Sequence, residues 1–170
     1  YDGYKDPNKV IKNNIFSTIN LFNYIKNKKT FLVNFTTDKV YFNDNKSHKY
    51  FTENDILYGE DPYSFSKVVT DMMGKMWSHN FKPTKIINVR CGNVIGGADW
   101  KQKRLIPDII KNHYQKKKLD IRNLNSTRPW VHILEVSNIL MLLIQKKFNE
   151  NFQYDVFNIS PGNGDEKNVK

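Results

Sequence analysis

Several residue types that mark whole classes of protein are scarce in this sequence. A single cysteine, Cys91, excludes a disulfide within the chain and fits a reducing compartment, so we expect a cytoplasmic protein. No apolar run approaches the roughly 20 residues that cross a bilayer, so we expect no membrane partner. The His and Cys residues show no metal-ligand spacing, and we expect no metal site.

Arginine is also scarce, although the chain is strongly basic. The formal net charge is +10, yet only four of the 27 basic residues are Arg. The lysines are scattered among Asn and Ile over the whole length. Their densest group, residues 116–118, lies at the C-terminal end of a predicted helix, where positive charge interacts favourably with the helix dipole. Because a nucleic-acid site needs clustered basic residues, we expect no nucleic-acid partner.

The composition is that of a folded chain, with 39% apolar and 14% aromatic residues. The sequence begins at Tyr1 without Met, in mid-pattern, and ends on the polar run 162–170. We therefore interpret its 170 residues as a piece of a longer protein.

Hydrophobic periodicity predicts alternating helices and strands. Apolar spacings of three and four predict helices over 7–28, 62–80, 105–116 and 134–147. Short apolar runs predict strands over 31–35, 85–90, 119–122 and 156–159. The order strand, loop, helix, strand indicates a parallel βαβ unit and an α/β fold, with the polar segment 40–60 lying over the site as a loop.

Polar side chains follow two of these strands where ligands bind in open α/β sheets. Thr37-Asp38-Lys39 follows the first strand, and Arg90-x-x-Asn93 follows the next. Between them, Tyr63 and Lys67 stand four residues apart at the start of a helix, and therefore on one helix face. We expect the Lys67 ammonium to lower the pKa of Tyr63 toward that of a general base.

The segments around these side chains resemble a known family. They are residues 36–41 (TTDKVY), 61–67 (DPYSFSK), 90–100 (RCGNVIGGADW), 104–108 (RLIPD), 121–123 (IRN) and 128–132 (RPWVH). Together they are similar to the extended short-chain dehydrogenase/reductase family, the NAD-dependent epimerases and dehydratases. The narrower resemblance is to its 4,6-dehydratases that act on CDP-glucose in deoxysugar biosynthesis.

The resemblance implies catalytic roles for five residues. Tyr63 would take the proton of the sugar 4-hydroxyl during hydride transfer to NAD, and Thr37 would bind the same oxygen. Lys67 would bind the nicotinamide ribose, so that Tyr63 and Lys67 also contact the cofactor. Asp38 would protonate the departing 6-hydroxyl. Lys39 stands where related dehydratases have a Glu base, and both a base and a stabiliser of enolate charge remain open for it.

The resemblance also implies residues that bind the nucleotide-sugar substrate. Asn93 would contact the sugar–pyrophosphate and Arg128 the phosphate, with Arg104 close to the nucleotide. Asn14 resembles a structural Asn of the active site. An ordinary capping or surface role is the alternative for each, and we interpret Trp130 and His132 as packing residues.

The implied fold is the C-terminal part of a Rossmann-type parallel sheet with helices on both faces, plus part of a smaller substrate-binding domain. Residues 1–97 would form a partial NAD-binding domain and 98–130 part of the substrate domain. Residues 131–160 would return to the first domain, and 161–170 would begin another substrate-domain segment. The glycine-rich turn of this family belongs before Tyr1, so we expect the piece alone to be inactive and the full-length protein to be a homo-oligomer.

Two alternative functions remain open. One is a different nucleotide-sugar 4,6-dehydratase or a 4-epimerase, although an epimerase needs no elimination pair such as Asp38 and Lys39. The other is a non-catalytic homologue that serves as a binding or assembly module.

Overall fold

A computed structural model describes residues 2–44, 50–101, 103–119, 121, 123–162 and 164–169. In chain order its elements are α1 (Asp2–Lys5), α2 (Pro7–Ile25), β1 (Phe31–Thr37), a 3-10 turn (Asp38–Val40), α3 (Pro62–Asn80), β2 (Lys85–Cys91), β3 (Asn93–Ile95), α4 (Leu105–Tyr114), β4 (Thr127–Arg128), β5 (Trp130–His132), α5 (Ile133–Phe148), β6 (Tyr154–Ile159) and β7 (Lys167–Asn168).

The helix that carries Tyr63 and Lys67 begins at a capping box. The Asp61 carboxylate accepts hydrogen bonds from the backbone N–H groups of Tyr63 and Ser64 at 2.8 and 3.1 Å. In return the Ser64 hydroxyl accepts from the Asp61 N–H at 3.0 Å. Pro62 occupies the first helical turn, where its missing N–H costs nothing. This cap sets the residue at which α3 begins, and with it the positions of Tyr63 and Lys67.

The central sheet is parallel and has the strand order β1-β2-β6. At its carboxyl edge Thr37 pairs with Cys91, which pairs with Ile159. The connection from β1 through α3 to β2 is therefore the predicted βαβ unit, and the α/β fold is confirmed. Two small sheets, β3-β5 and β4-β7, lie beside the central one.

Helices cover both faces of this sheet, because alternate residues of β2 point to opposite sides. Ile86 packs with Phe22 of α2 and Trp77 of α3, while Ile87 and its neighbours pack against α5. Phe22, Ile86 and Ile87 are fully buried. Burial of such side chains contributes about 1.5–3 kcal/mol each, so the two apolar layers hold the helices in place.

The structure differs from the sequence prediction in several short segments. Leu119 and Ile121 are not in a strand, and residues 120 and 122 of that predicted strand, Arg122 included, lie outside the described residues. Conversely, β3 forms within the segment 90–100, where no strand beyond residue 90 was predicted, and it pairs in parallel with β5. A strand of three residues is too short to show a period of two.

His132 caps a helix, which the sequence prediction of a packing residue missed. Its Nδ1 accepts a hydrogen bond from the Leu134 N–H at 3.3 Å, and its own N–H donates to the Glu135 carboxylate at 3.3 Å. The side chain is exposed. The residue thus marks the start of α5.

No described helix is both long enough and apolar enough to cross a membrane.

A close contact between α3 and β2 explains one glycine. Gly74 faces Asn88, and a Cβ atom at position 74 would lie 2.3 Å from the Asn88 Oδ1. The Asn88 amide cannot simply move away, because it donates to the Asp71 carbonyl at 2.7 Å and to the Tyr154 hydroxyl at 2.9 Å. Its Oδ1 also accepts from Asn34 at 2.9 Å. The helix can approach the strand only with glycine at this position.

We predict that Gly74→Ala destabilises the fold. Overpacking costs about 1–3 kcal/mol, which exceeds the roughly 1 kcal/mol that alanine gains over glycine inside a helix. Urea denaturation of the complete protein measures the change, with Lys75→Ala at the next, exposed position as control. An equal or higher midpoint for Gly74→Ala would contradict this packing.

Candidate active site

A cavity of about 770 Å³ opens at the carboxyl edge of the sheet. Its lining comes from the end of β1, the 3-10 turn, the start of α3, and β3, α4 and β4. Seven of the predicted site residues line it: Thr37, Asp38, Lys39, Tyr63, Asn93, Arg104 and Arg128. The topology therefore brings together side chains that lie up to 91 positions apart in the sequence.

Thr37, Asp38 and Lys39 occupy the point where β1 becomes a 3-10 turn. The Thr37 hydroxyl donates to the Asp38 carboxylate at 3.0 Å and accepts from the Lys39 N–H at 3.4 Å. Thr37 is buried, Asp38 is partly buried and Lys39 is exposed. The turn thus presents a hydroxyl, a carboxyl and an amine in succession to the cavity.

The Asp38 carboxyl is disposed to keep a proton. Burial raises its pKa above the ordinary value, while the Thr37 hydrogen bond and the charges of Lys39 and Arg128 offset part of that effect. A carboxyl with a raised pKa is suited to donate a proton to a leaving group.

The pKa of Tyr63 is also raised. Burial is the main cause, and the negative charges of Asp38 and Asp61 act in the same direction. A hydrogen bond with Thr37 and the charge of Arg104 lower the pKa in part. In this structure the hydroxyl of Tyr63 is therefore a phenol at neutral pH, and the expectation of a lowered pKa is contradicted.

The position of the Lys67 amine explains this outcome. Its Nζ donates to the backbone carbonyl of Phe35 at 3.2 Å, at the edge of β1. Burial lowers the pKa of Lys67. Within the described part of the chain, Lys67 stays outside the lining of the cavity, whereas Phe35 and Tyr63 belong to it. The spacing of four residues fixed a common helix face but not the direction of the lysine head group.

Asn14 supports the start of α3 from the neighbouring helix. Its amide donates to the Ser66 hydroxyl at 2.8 Å, and that hydroxyl donates to the Tyr63 carbonyl at 2.7 Å. Ser66 is fully buried. Asn14 thus reaches the turn that carries Tyr63 through one intervening side chain.

The three predicted substrate residues lie on separate elements around the cavity. Asn93 begins β3, and its N–H donates to the Pro129 carbonyl at 3.1 Å. Arg128, in β4, lies close enough to influence the pKa of Asp38. Arg104 precedes α4 at the exposed rim, where it forms a 2.8 Å ion pair with Asp99. Two guanidinium groups therefore lie on the cavity lining.

Arg90 does not join this cavity, although its sequence position beside Asn93 suggested that it would. Its guanidinium is buried and forms a two-pronged ion pair with Asp71 of α3, at 3.0 and 2.8 Å. One signal in the sequence could have indicated that Asp71 lies near the site. Tyr63, Lys67 and Asp71 follow at intervals of four and so share a helix face. Trp130 was interpreted as a packing residue, yet it lines the cavity.

A second cavity, of about 820 Å³, adjoins the first. Asp38, Lys39 and Arg128 line both cavities. The other side of the second cavity is formed by the loop after the 3-10 turn, including Tyr41 and Phe51, so the loop 40–60 borders the site as expected for its described residues. Residues 45–49 of this loop lie outside the described ranges.

Across the described ranges, no group of three or more His, Cys, Asp or Glu side chains is arranged to hold a metal ion.

Comparison with known proteins finds one matching family and several similar sequences. A family model described as the NAD dependent epimerase/dehydratase family matches residues 2–160. The CDP-glucose 4,6-dehydratase of Salmonella typhimurium is 33% identical over 180 residues, which cover 98% of this chain and 49% of that protein.

Solved structures show the same fold. The dTDP-glucose 4,6-dehydratase of Bacillus anthracis in complex with NAD is 29% identical with a TM-score of 0.77, covering 94% of this chain and 49% of that one. The UDP-N-acetylglucosamine 4-epimerase of Methanobrevibacter ruminantium in complex with UDP-N-acetylmuramic acid is 19% identical with a TM-score of 0.81, covering 99% of this chain and 53% of that one. The chain spans about half the length of these relatives.

The raised pKa of Asp38 predicts a pH-dependent difference in stability between the wild type and Asp38→Asn. The contribution of Asp38 is fully present below the ordinary Asp value of 3.8 and is lost as pH rises through the higher folded-state pKa. Asparagine does not ionise. The difference in free energy of unfolding between Asp38→Asn and the wild type should therefore shift in favour of the variant over that pH window and then become constant. Urea denaturation of the complete protein at a series of pH values measures it, and a constant difference would contradict the burial of this carboxyl.

Proposed function

Because the chain belongs to the NAD-dependent epimerase/dehydratase family, we propose that the complete protein is a nucleotide-sugar 4,6-dehydratase that converts CDP-glucose to CDP-4-keto-6-deoxyglucose and water. The observation that carries the proposal is the 3-10 turn. It sets a carboxyl with a raised pKa and an amine next to Thr37 and Tyr63 in one cavity. Oxidation at carbon 4 uses Thr37 and Tyr63, whereas elimination uses the Asp38 carboxyl and the Lys39 amine.

The residues present fit NAD at the edge of β1. Lys67 has three N–H donors and uses one of them on the Phe35 carbonyl, so the others suit ribose hydroxyls. Tyr63 lies on the same helix face, one turn earlier. We assign these two residues to cofactor binding. When bound, NAD supplies the hydride acceptor for carbon 4 and the hydride donor for carbon 6.

In the oxidation step the chain handles one proton. The Tyr63 oxygen takes the proton of the sugar 4-hydroxyl as carbon 4 loses its hydride and becomes a ketone. Tyr63 must be a phenolate for this. Burial raises its pKa in the chain alone, and the Thr37 hydrogen bond and the Arg104 charge offset part of that rise. We assign binding of the oxygen that becomes the ketone to the Thr37 hydroxyl, since Thr37 lines the same cavity as Tyr63.

In the elimination step the chain handles two protons. The 4-ketone acidifies the hydrogen on carbon 5, which is removed on the Lys39 side. Asp38 donates its proton to the 6-hydroxyl, the bond from carbon 6 to oxygen breaks, and water leaves as the double bond between carbons 5 and 6 forms. A proton then returns to carbon 5 as carbon 6 is reduced to a methyl group. Lys39 serves either as the base or as the cation that stabilises the enolate.

We assign the substrate's phosphates to the basic side of the cavity. Asn93, Arg104 and Arg128 line it, and the planar fork of a guanidinium matches phosphate oxygens in pairs. Residues 1–97 and 131–160 belong in this proposal to the NAD-binding domain, and 98–130 and 161–170 to the substrate domain. The complete protein acts as a homo-oligomer.

The test is incubation of the complete protein with NAD and, separately, with CDP-glucose, dTDP-glucose and UDP-glucose. We expect a 4-keto-6-deoxy product, detected by its ultraviolet absorbance in base, with CDP-glucose giving the highest kcat/KM. Preference for another nucleotide would overturn the substrate assignment. Recovery of a 4-epimer from all three sugars would overturn the reaction assignment.

We predict that Lys39→Ala separates the two halves of the reaction. Elimination loses at least about 100-fold, the scale of a general acid–base group, because the amine on the carbon 5 side is removed. The first oxidation remains, because Thr37 and Tyr63 are unchanged. Rapid mixing with substrate then shows reduced nicotinamide accumulating without keto-deoxy product.

The matched control is Lys12→Ala, which removes an exposed lysine of α2 outside both cavity linings in the described chain. Normal product formation by Lys39→Ala would contradict a role for this amine.

A further inference from the structure

Tyr41 follows directly on the turn that carries Asp38 and Lys39. Its backbone N–H donates to the Asp38 carbonyl at 3.3 Å and so closes that turn. Its ring stacks on Phe51 with the centroids 5.0 Å apart and the planes 6° from parallel. The residue is only 5% exposed. Movement of Tyr41 would therefore move the backbone of the turn as well.

The hydroxyl of Tyr41 is held by two strands of the central sheet. It accepts from the Nη1 of Arg90, in β2, at 2.9 Å. It donates to the Oδ1 of Asn158, in β6, at 2.6 Å. The bond to Arg90 is buried and the bond to Asn158 is partly buried. Because an unmade hydrogen bond is costly away from water, these two bonds fix the ring against the carboxyl edge of the sheet.

Arg90 is itself fixed by a buried ion pair. Its Nε and Nη2 bind the two oxygens of Asp71 in α3, and the side chains are 5% and 2% exposed. The same Nη1 that reaches Tyr41 also donates to the Glu53 carbonyl at 2.9 Å. The guanidinium thus joins the helix α3, the strand β2 and the loop that borders the second cavity.

Thr37 and Tyr63 are held by other contacts. Thr37 is the last residue of β1 and is fixed by its pairing with β2. Tyr63 is fixed by the capping box at Asp61. Sheet pairing and a helix cap thus hold the oxidation pair. The turn with Asp38 and Lys39 is held at its start by the Thr37 hydroxyl and at its end by Tyr41, whose hydroxyl is bonded to the sheet.

We propose that Tyr41 is a positioning residue for the elimination step, because its hydroxyl holds the turn of Asp38 and Lys39 against the buried pair of Arg90 and Asp71. The proposal rests on the dehydratase function proposed above and deepens it. Tyr41 acts by fixing where the acid and the amine stand relative to the oxidised sugar.

Tyr41→Phe tests the proposal, because it removes the hydroxyl and keeps the ring that stacks on Phe51. The matched control is Tyr154→Phe. The Tyr154 hydroxyl accepts a hydrogen bond from Asn88 at 2.9 Å inside the same sheet, but Tyr154 pairs with Ile86 near the opposite edge. Each variant removes one hydroxyl that is hydrogen-bonded to side chains of the central sheet. Only Tyr41→Phe removes it beside the turn of Asp38 and Lys39.

Two measurements on the complete protein are compared. The first is backbone hydrogen exchange followed by mass spectrometry over residues 38–42, which needs no activity. The second is the split between the oxidation and elimination rates with CDP-glucose and NAD. We expect faster exchange at 38–42 in Tyr41→Phe alone. We also expect its elimination rate to fall about 10-fold or more, since a displacement of about 1 Å can cost on the order of 100-fold, while oxidation stays within about twofold.

Unchanged exchange at 38–42 in Tyr41→Phe would overturn the proposal, as would equal losses of oxidation and elimination. Equal effects of Tyr154→Phe would also overturn it, because they would show general loosening of the sheet. If the wild type converts no nucleotide sugar, the dehydratase function fails and the elimination role fails with it. The exchange measurement then still decides whether Tyr41 holds the turn.

Discussion

The buried ion pair of Arg90 and Asp71 is the interaction on which the site depends. It joins β2 to α3 across the middle of the βαβ unit, with both partners almost inaccessible to water. Such a pair adds little net stability because both ions are desolvated, but removal of one partner costs about 3–5 kcal/mol. Its further hydrogen bonds to Tyr41 and Glu53, and that of Asp71 with Thr36, extend the constraint into the strand end and the adjoining loop.

The electrostatics of the cavity favour proton donors. Burial raises the pKa of both Asp38 and Tyr63, and the positive groups Lys39, Arg104 and Arg128 offset part of that rise. A carboxyl whose pKa is raised gives up its proton less readily to water and is better suited to protonate a leaving group. In the proposed function these two side chains divide the chemistry, with the phenol assigned to carbon 4 and the carboxyl to the oxygen on carbon 6.

Much of this arrangement could be predicted from the sequence because it depends on local patterns. The start of α3 at Pro62, the apolar stripes of α2 and α3, and the polar residues after β1 are all expressed within a few neighbouring positions. The parallel pairing of β1 with β2 follows from the helix between them. The seven residues that meet in the first cavity were predicted from strand ends and from family resemblance.

The features that were missed depend on contacts between distant segments. The partner of Arg90 lies 19 positions away on a helix, and the Lys67 amine turns to a backbone carbonyl of β1. The pKa of Tyr63 is raised because burial and two carboxylates outweigh its favourable neighbours, a balance that spacing alone cannot express. Strand β3 is held by pairing with β5, which lies more than 30 residues later.

The most direct test of the central claim is the reaction of the complete protein with CDP-glucose and NAD in deuterium oxide. Elimination and return of a proton at carbon 5 predict a CDP-4-keto-6-deoxyglucose with deuterium at carbon 5 and the former carbon 4 hydrogen in its methyl group, as read by NMR and mass spectrometry. Recovery of CDP-glucose or its 4-epimer with no deuterium at carbon 5 would contradict the assignment of Asp38 and Lys39 to elimination.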